Sequence, residues 1–397
     1  MGNKHILMPK ELIEECYKKS VKLLIDNSSN YGVLASSPQK NAVTRNYLSI
    51  FARDASICSL GMVASKNKHL VFLAKKSLRT LAKHQAHNGE IPNYVKPEKA
   101  YVDFWRLGSI DATLWWLIAV DFYDKNTSDK KFKKSLQSKI TKAINWLSCQ
   151  EHNNDYLLRQ TEASDWADIM PRSGKVLYSN ALWYKVKKEY NLFEKEKTAK
   201  NFNLLFYPFN NNKQELPKSD KATINAITKR KNFGDFYISF ANYLYWGEDI
   251  DVFGNSLTIL SDLSSITIAK KVTNFIDKQK KIACFPNPVA LRPIEENSKL
   301  WRQYMESHKQ NYPYQYHNGG TWPFAACFFA MALKKSKQTK LAKEELEKIA
   351  ELNKANKWQF NEWFHSRTGQ ARGMHGQSWN AGAFLLAYHY INNDIEF

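Results

Sequence analysis

Three carboxylates, an indole and a guanidinium fall within eleven residues in the segment TEASDWADIMPR, as Glu162, Asp165, Trp166, Asp168 and Arg172. Such a neighbourhood can raise one carboxyl pKa by burial and like-charge repulsion while the arginine keeps another ionised. A general acid needs that raised pKa. The same residues could instead cap the helix expected from about Gly174 or Val176, and composition does not choose between the two. A second candidate, Glu362, sits in NEWFH among Trp358, Phe360, Trp363 and Phe364. Its carboxylate would be partly desolvated if it pointed inward; the alternative is a surface glutamate whose ring neighbours face the core. Two carboxylates flanking a scissile bond, with aromatic platforms and Arg or Asp groups to hold hydroxyls, are what glycoside hydrolysis requires.

Further polar residues stand at the edges of apolar runs. Arg53 and Asp54 begin an apolar helix, where an Arg–carboxylate pair or direct bonds to vicinal sugar hydroxyls are both open. Asp111 precedes ATLWWLIAV and is either an N-cap or a ligand to a hydroxyl. His317 and Asn318 precede Gly319 and Gly320, which permit a tight turn into a helix near Trp322. The ten histidines are dispersed, and no H-E-x-x-H, C-x-x-C or EF-hand spacing appears, so no metal is expected. No glycine-rich nucleotide motif is present either, and no cofactor is expected. Cys16, Cys58, Cys149, Cys284 and Cys327 are odd in number and widely spaced, which gives no disulfide framework; Cys327 reads as core.

Positioning these residues falls to helices. Apolar residues recur at i, i+3, i+4 near 10–26, 54–65, 68–86, 109–124, 131–149, 175–191, 195–202, 236–246, 254–260, 265–277, 322–335, 340–352 and 376–392. About twelve such helices suffice for two concentric rings of six, an all-α (α/α)6 barrel. Tyr31 to Ala35 and Tyr156 to Arg159 read as short β pieces, and the polar stretch Asn210 to Lys221 as an exposed loop. No Pro/Gly/Ser-rich linker divides the chain, so residues 1–397 read as one domain. The polar and aromatic clusters lie at helix ends, where a barrel of helical hairpins would gather them at one mouth.

The composition is that of a globular protein: 43% hydrophobic residues, with 12 Trp, 20 Tyr and 22 Phe, enough rings for a lined cleft as well as a core. A net charge of +20 invites a nucleic-acid reading. The lysines are scattered through amphipathic stretches without a recognition motif, so neither nucleic acid nor membrane is expected as a partner. No apolar run of about 18 residues and no secretory h-region occur, and a soluble cytoplasmic protein is expected.

Several of these segments resemble known ones. YHNGGTWP (316–323) and GQSWNAGAFLLA (376–387) are similar to segments of the alkaline/neutral invertases, glycoside hydrolase family 100. FARDAS (51–56) and SIDATLWW (109–116) resemble motifs shared with the glucosidase domain of glycogen-debranching enzymes, and WADIMPRSGKVLYSNALWY (166–184) is closest to that debranching pattern. The resemblance covers about residues 45 to 390 and implies an (α/α)6 barrel and inversion at the anomeric carbon. It implies Asp168 as the acid on the glycosidic oxygen, with Asp165 one helical turn away as the alternative, and Glu362 as the residue that activates water. Arg53, Asp54, Asp111, Trp115, His317 and Gln377 would hold the sugar before the cleaved bond. Asp165, Trp166, Arg172, Asn318, Trp322 and Trp379 would complete the saccharide-binding wall. The expected substrate is a small saccharide, sucrose first; an α-1,6-linked oligosaccharide or a compatible solute such as trehalose or mannosylglycerate is the alternative. A non-catalytic carbohydrate-binding protein is the rival of a different class, and the sequence leaves a homo-oligomer open.

Overall fold

Helices that are apolar on every side cannot face water, and this chain alternates such helices with amphipathic ones. The computed structural model describes residues 8–207, 218–229, 234–279 and 285–397. Its twelve principal helices are, in order, α1 (Pro9–Asp26), α2 (Ala52–Ala64), α3 (Lys68–Lys83), α4 (Ile110–Asn126), α5 (Gln137–Ser148), α6 (Leu177–Glu189), α7 (Lys195–Phe206), α8 (Val252–Leu260), α9 (Ile266–Lys278), α10 (Pro323–Lys335), α11 (Thr339–Trp358) and α12 (Ser378–Ile391). Every residue of α2 and of α8 is buried, as is Pro323–Leu333 of α10. The odd-numbered helices bury one stripe each, for example Leu70, Leu73, Ala74, Ser77, Leu78 and Leu81 of α3.

The even-numbered helices pack in a closed cycle, α2 on α4, α4 on α6, α6 on α8, α8 on α10, α10 on α12 and α12 back on α2. The odd-numbered ones cover them from outside. This is the (α/α)6 barrel, and it places the N-termini of all six inner helices at one end. The loops entering them are 27–51, 84–109, 149–176, 234–251, 285–322 and 359–377, and short antiparallel pairs pin them: Ile50–Phe51 to Tyr94–Lys96 to Tyr101–Asp103, Lys175–Val176 to Phe240–Ala241, and Trp363–Phe364 to Ala371–Arg372.

Some expectations differ from the structure. Residues 236–246 do not form a helix: Phe236 to Phe240 is an irregular buried segment that ends in the strand Phe240–Ala241, and the Asn242 side chain accepts from the Leu244 and Tyr245 N–H groups to make a turn. Of the loop expected over Asn210 to Lys221, residues 210–217 lie outside the described residues, while Lys218–Thr228 is helical. Tyr31 to Ala35 contributes only the bridge Ser28 to Val33, whereas Tyr156 to Arg159 carries the hairpin strand Leu157–Leu158. Cys16, Cys58 and Cys327 are buried free thiols, Cys149 is exposed, and Cys284 lies outside the described residues. Among the described residues no helix is long and apolar enough to cross a membrane.

Ring closure depends on the α2–α12 contact, where two glycines face each other. A Cβ on Gly61 would lie 1.9 Å from the Gly382 carbonyl oxygen, and one on Gly382 would lie 2.5 Å from Cys58 Cα. Both obstacles are backbone, so no side chain can move aside. Gly382→Ala, which in an exposed helix would add stability of up to about 1 kcal/mol, is expected here to destabilise by about 1–3 kcal/mol through overpacking. Urea denaturation checks the sign.

Candidate active site

The loop before α6 carries the aspartates. Asp165 is 3% exposed. Its carboxylate accepts from the Ala167 N–H (2.8 Å) and from Gln160 Nε2 (2.8 Å), so it folds the turn that follows it. Asp168 keeps 41% of its side-chain surface open and faces His317, whose Nδ1 lies 3.7 Å away. Glu162 is drawn outward to Arg302 and to the Tyr304 hydroxyl (2.8 Å). None of the three caps α6, whose N-cap is Val176 without a side-chain bond. The capping alternative is therefore set aside.

Glu362 comes from the hairpin before α12. That hairpin is stitched to the 316–323 loop by reciprocal Thr321 and Phe364 backbone bonds, both 2.8 Å. Its carboxylate is 2% exposed and accepts from the Tyr47 hydroxyl (2.6 Å) and the Met374 N–H (2.8 Å). Gly373 makes this possible: its φ is +72°, and a Cβ there would sit 2.3 Å from Glu362 Oε2. Burial raises the Glu362 pKa, restrained by the Tyr47 and Met374 bonds and by the Arg45 charge. Asp168 is pushed up to about 7 by desolvation among the loops of the mouth. Arg53 opposes the shift, while Asp165, Glu362 and Asp111 add to it. The two carboxylates thus share one mouth and act on each other.

Around them the sequence-derived residues divide. Arg53, in the first turn of α2, donates from one guanidinium nitrogen to both oxygens of Asp111 (3.2 and 3.0 Å), with Asp54 3.8 Å from its Nε. Asp54 is pushed up to about 6 by burial, against the pull of Arg53. His317 is stacked on Trp322 (5.2 Å, 20°) and meets Trp166 edge-on, and burial with two nearby arginines keeps it neutral. Trp379 stacks on Phe324 (3.9 Å, 15°) and meets Trp322 at right angles. The His317 Nδ1, the indole N–H groups of Trp166, Trp363 and Trp379, and both amide atoms of Gln377 are buried without a protein partner. Buried polar groups are normally paired, so these groups among the loops of one mouth are available to a polar ligand or to water.

Four residues expected on the saccharide are instead taken up by the protein. Trp115 is fully buried against Phe253 and Phe328 and gives its indole N–H to the Tyr178 hydroxyl (2.7 Å). Asp111, also fully buried, is saturated by Arg53, Ser109 and Tyr178, and so orients Arg53. Arg172 is locked between Asp249 (2.9 Å) and Asp251 (3.1 Å), tying the acid loop to the start of α8. The Asn318 side chain clamps the Ile294 and Asn311 backbones. All four are buried. Sequence reasoning missed Tyr47, which no motif marks, and Tyr316, which lay inside a quoted motif and is influenced by both Asp168 and Glu362. It also missed Asp251, which an N-cap reading of the α8 start would have found.

A closed double ring of helices with carboxylates gathered in the loops at one end is the six-hairpin (α/α)6 architecture. Residues 249–394 match the family model described as alkaline and neutral invertase. Alkaline/neutral invertase C, mitochondrial, of Arabidopsis thaliana is 20% identical over 348 residues, 77% of this chain and 52% of that protein. Neutral/alkaline invertase 1, mitochondrial, of Oryza sativa subsp. japonica is 29% identical over 137 residues, 33% of this chain and 21% of that protein. The chain therefore spans about half, or less, of the length of these curated relatives. Among solved structures, the family 63 mannosylglycerate hydrolase of Thermus thermophilus, in complex with Tris and D-glycerate, superposes with a TM-score of 0.64 at 13% identity, over 94% of this chain and 99% of that one. A wild-type glycosidase superposes at 0.62 with 12% identity, over 97% and 99%. These likenesses establish the fold and the similarity to alkaline/neutral invertases that the motifs imply.

An aspartate whose pKa is raised in the folded state stabilises fully only below its unfolded value and loses that contribution as pH rises through the folded value. For Asp168 the window runs from the ordinary 3.8 to about 7. Asp168→Asn is expected to raise the thermal midpoint at pH 8 and to leave it unchanged near pH 4. Scanning calorimetry at the two pH values checks this.

Proposed function

We propose that the chain is an inverting, exo-acting glycoside hydrolase that cleaves an α-glucosidic bond in a small soluble saccharide, sucrose being the first candidate. The observation that carries the reading is the pairing at one mouth of an open carboxyl, Asp168, facing His317, with an enclosed carboxylate held by two donors, Glu362. Burial pushes Asp168 up to about 7, toward the range of a general acid, while the Tyr47 and Met374 donors restrain the rise at Glu362. Asp168 protonates the glycosidic oxygen as the bond to the anomeric carbon breaks. Glu362 takes a proton from a water that attacks that carbon from the opposite face. Tyr47 and the Met374 N–H fix the direction in which Glu362 accepts. Arg53, fixed by Asp111, and Asp54 are suited to hold hydroxyls of the sugar. The invertase relatives support sucrose, and the mannosylglycerate hydrolase supports a hexose linked to a small polar leaving group.

Asp168→Asn and Glu362→Gln are each expected to lower kcat by about 10² to 10⁴ with the fold retained. The wild-type kcat/KM profile is expected to be bell-shaped. Its alkaline limb falls near pH 7 as Asp168 loses its proton, and its acid limb reflects Glu362. Tyr47→Phe removes a donor to the Glu362 carboxylate and should move the acid limb to higher pH while leaving the alkaline limb in place. Full activity in both folded carboxyl variants would overturn the mechanism. Tight sugar binding with no released monosaccharide would favour a non-catalytic carbohydrate-binding protein.

A further inference from the structure

Beside Glu362 lies a cleft of about 520 Å³ whose lining is cationic: Arg45, Lys309 and Arg372, with His308, and with Trp363 and Met374 as its wall toward the carboxylate. Among the described residues no carboxylate lines this cleft, and none is in ion-pair contact with Arg45, Lys309 or Arg372; Arg372 bonds to the neutral Gln370 amide (2.7 Å). The larger cavity at the opposite end of the barrel differs. There Lys125, Lys188 and Lys335 are answered by Asp121, Glu189 and Asp262. Those three lysines are thus each paired with a carboxylate, whereas among the described residues Arg45, Lys309 and Arg372 beside the candidate site are not.

The cleft abuts the residues that hold Glu362. Met374 donates its N–H to Glu362, Trp363 follows Glu362 in sequence, and the Arg45 charge is felt by both Glu362 and Tyr316. His308 and Lys309 both have left-handed backbones, with φ of +58° and +52°, so the chain makes an uncommon turn where it presents them. A cleft lined by one sign of charge with low-dielectric walls concentrates ions of the opposite sign, and guanidinium groups bind carboxylate and phosphate oxygens well.

We propose that this cleft is a subsite for an anionic group, a phosphate or a carboxylate, carried by the substrate beyond the sugar that Arg53 and Asp54 hold. The inference rests on the glycosidase reading of the site and narrows its substrate class to acidic glycosides. Neutral sucrose would then be bound without using the cleft's charge.

The test is calorimetric binding to Asp168→Asn, which is expected to consume the ligand about 10² to 10⁴ times more slowly than the wild type. Two matched pairs are compared: sucrose phosphorylated on its fructosyl 6-hydroxyl against sucrose, and glucosylglycerate against glucosylglycerol. At least one acidic member is expected to bind about tenfold or more tightly than its neutral partner. The pair that shows the preference tells phosphate from carboxylate. Adding Lys309→Gln and Arg372→Gln, both exposed and outside the acid–base machinery, should abolish the preference and leave neutral binding within about twofold; 0.5 M NaCl should weaken the acidic ligand alone. Equal binding within both pairs, or a preference untouched by the double substitution, overturns the inference. An acidic preference in a protein whose wild type hydrolyses none of the four ligands keeps the anion subsite and discards the glycosidase reading. Hydrolysis of neutral sucrose without any acidic preference does the reverse.

Discussion

Arg53, clamped by both oxygens of Asp111 and set beside Asp54, is the link on which the candidate site depends. Asp54, Asp111, Asp165, Asp168 and Glu362 all lie in loops or first turns at one end of the inner ring, where like charges in a poorly solvated space would repel. Arg53 opposes the rise in the pKa of both Asp54 and Asp168, and Arg172 does the same for the buried Asp251. Burying charge is costly unless it is paired. The two arginines therefore restrain the rise that burial imposes on these carboxyls. Asp168, pushed up to about 7, is the one with an open face.

The barrel provides the geometry for this. Six helices buried over most of their length can be covered only by closing on each other, and closure brings their N-termini to one end. First-turn and N-cap acids such as Asp54, Asp111 and Asp251 are favoured by the partial positive charge there, so the fold offers sites for carboxylates before any ligand is considered. The glycine contact between α2 and α12 lets the ring close tightly. The hairpin carrying Glu362 then crosses to the loop carrying His317 through backbone bonds of Thr321 and Phe364. Scaffold and site are thus coupled through the loops that enter the inner helices.

Much of this was legible in the sequence because helix periodicity and helix-end chemistry are local. The alternation of all-apolar and amphipathic helices is visible in stretches such as ARDASICSLGMVA and KHLVFLAKKSLRTLAK. Asp168 and Glu362 stood out by their neighbours. What sequence could not convey was depth. Trp115, Asp111, Arg172 and Asn318 are of the right types and in the right segments, yet each is consumed by a protein partner far away in sequence, Tyr178, Arg53, Asp249 and Ile294 respectively. Tyr47 bonds to a residue more than three hundred positions away, and no local pattern announces such a pairing. The aromatic run at 236–246 was misread because its rings pack from an irregular segment and a two-residue strand, with Tyr243 exposed in a turn, and ring spacing alone does not separate that from a helix.

The central claim is that Asp168 and Glu362 divide acid and base work across one mouth, so that water attacks opposite the departing group. The most direct test follows the anomeric proton of the first-formed glucose by NMR as the purified protein turns over sucrose, with an acidic glucoside run in parallel. The account predicts β-glucose at early times, later equilibrating to the mixture of anomers. Initial release of α-glucose would mean retention through a covalent intermediate and would contradict the assignment of Glu362 as a base acting on water.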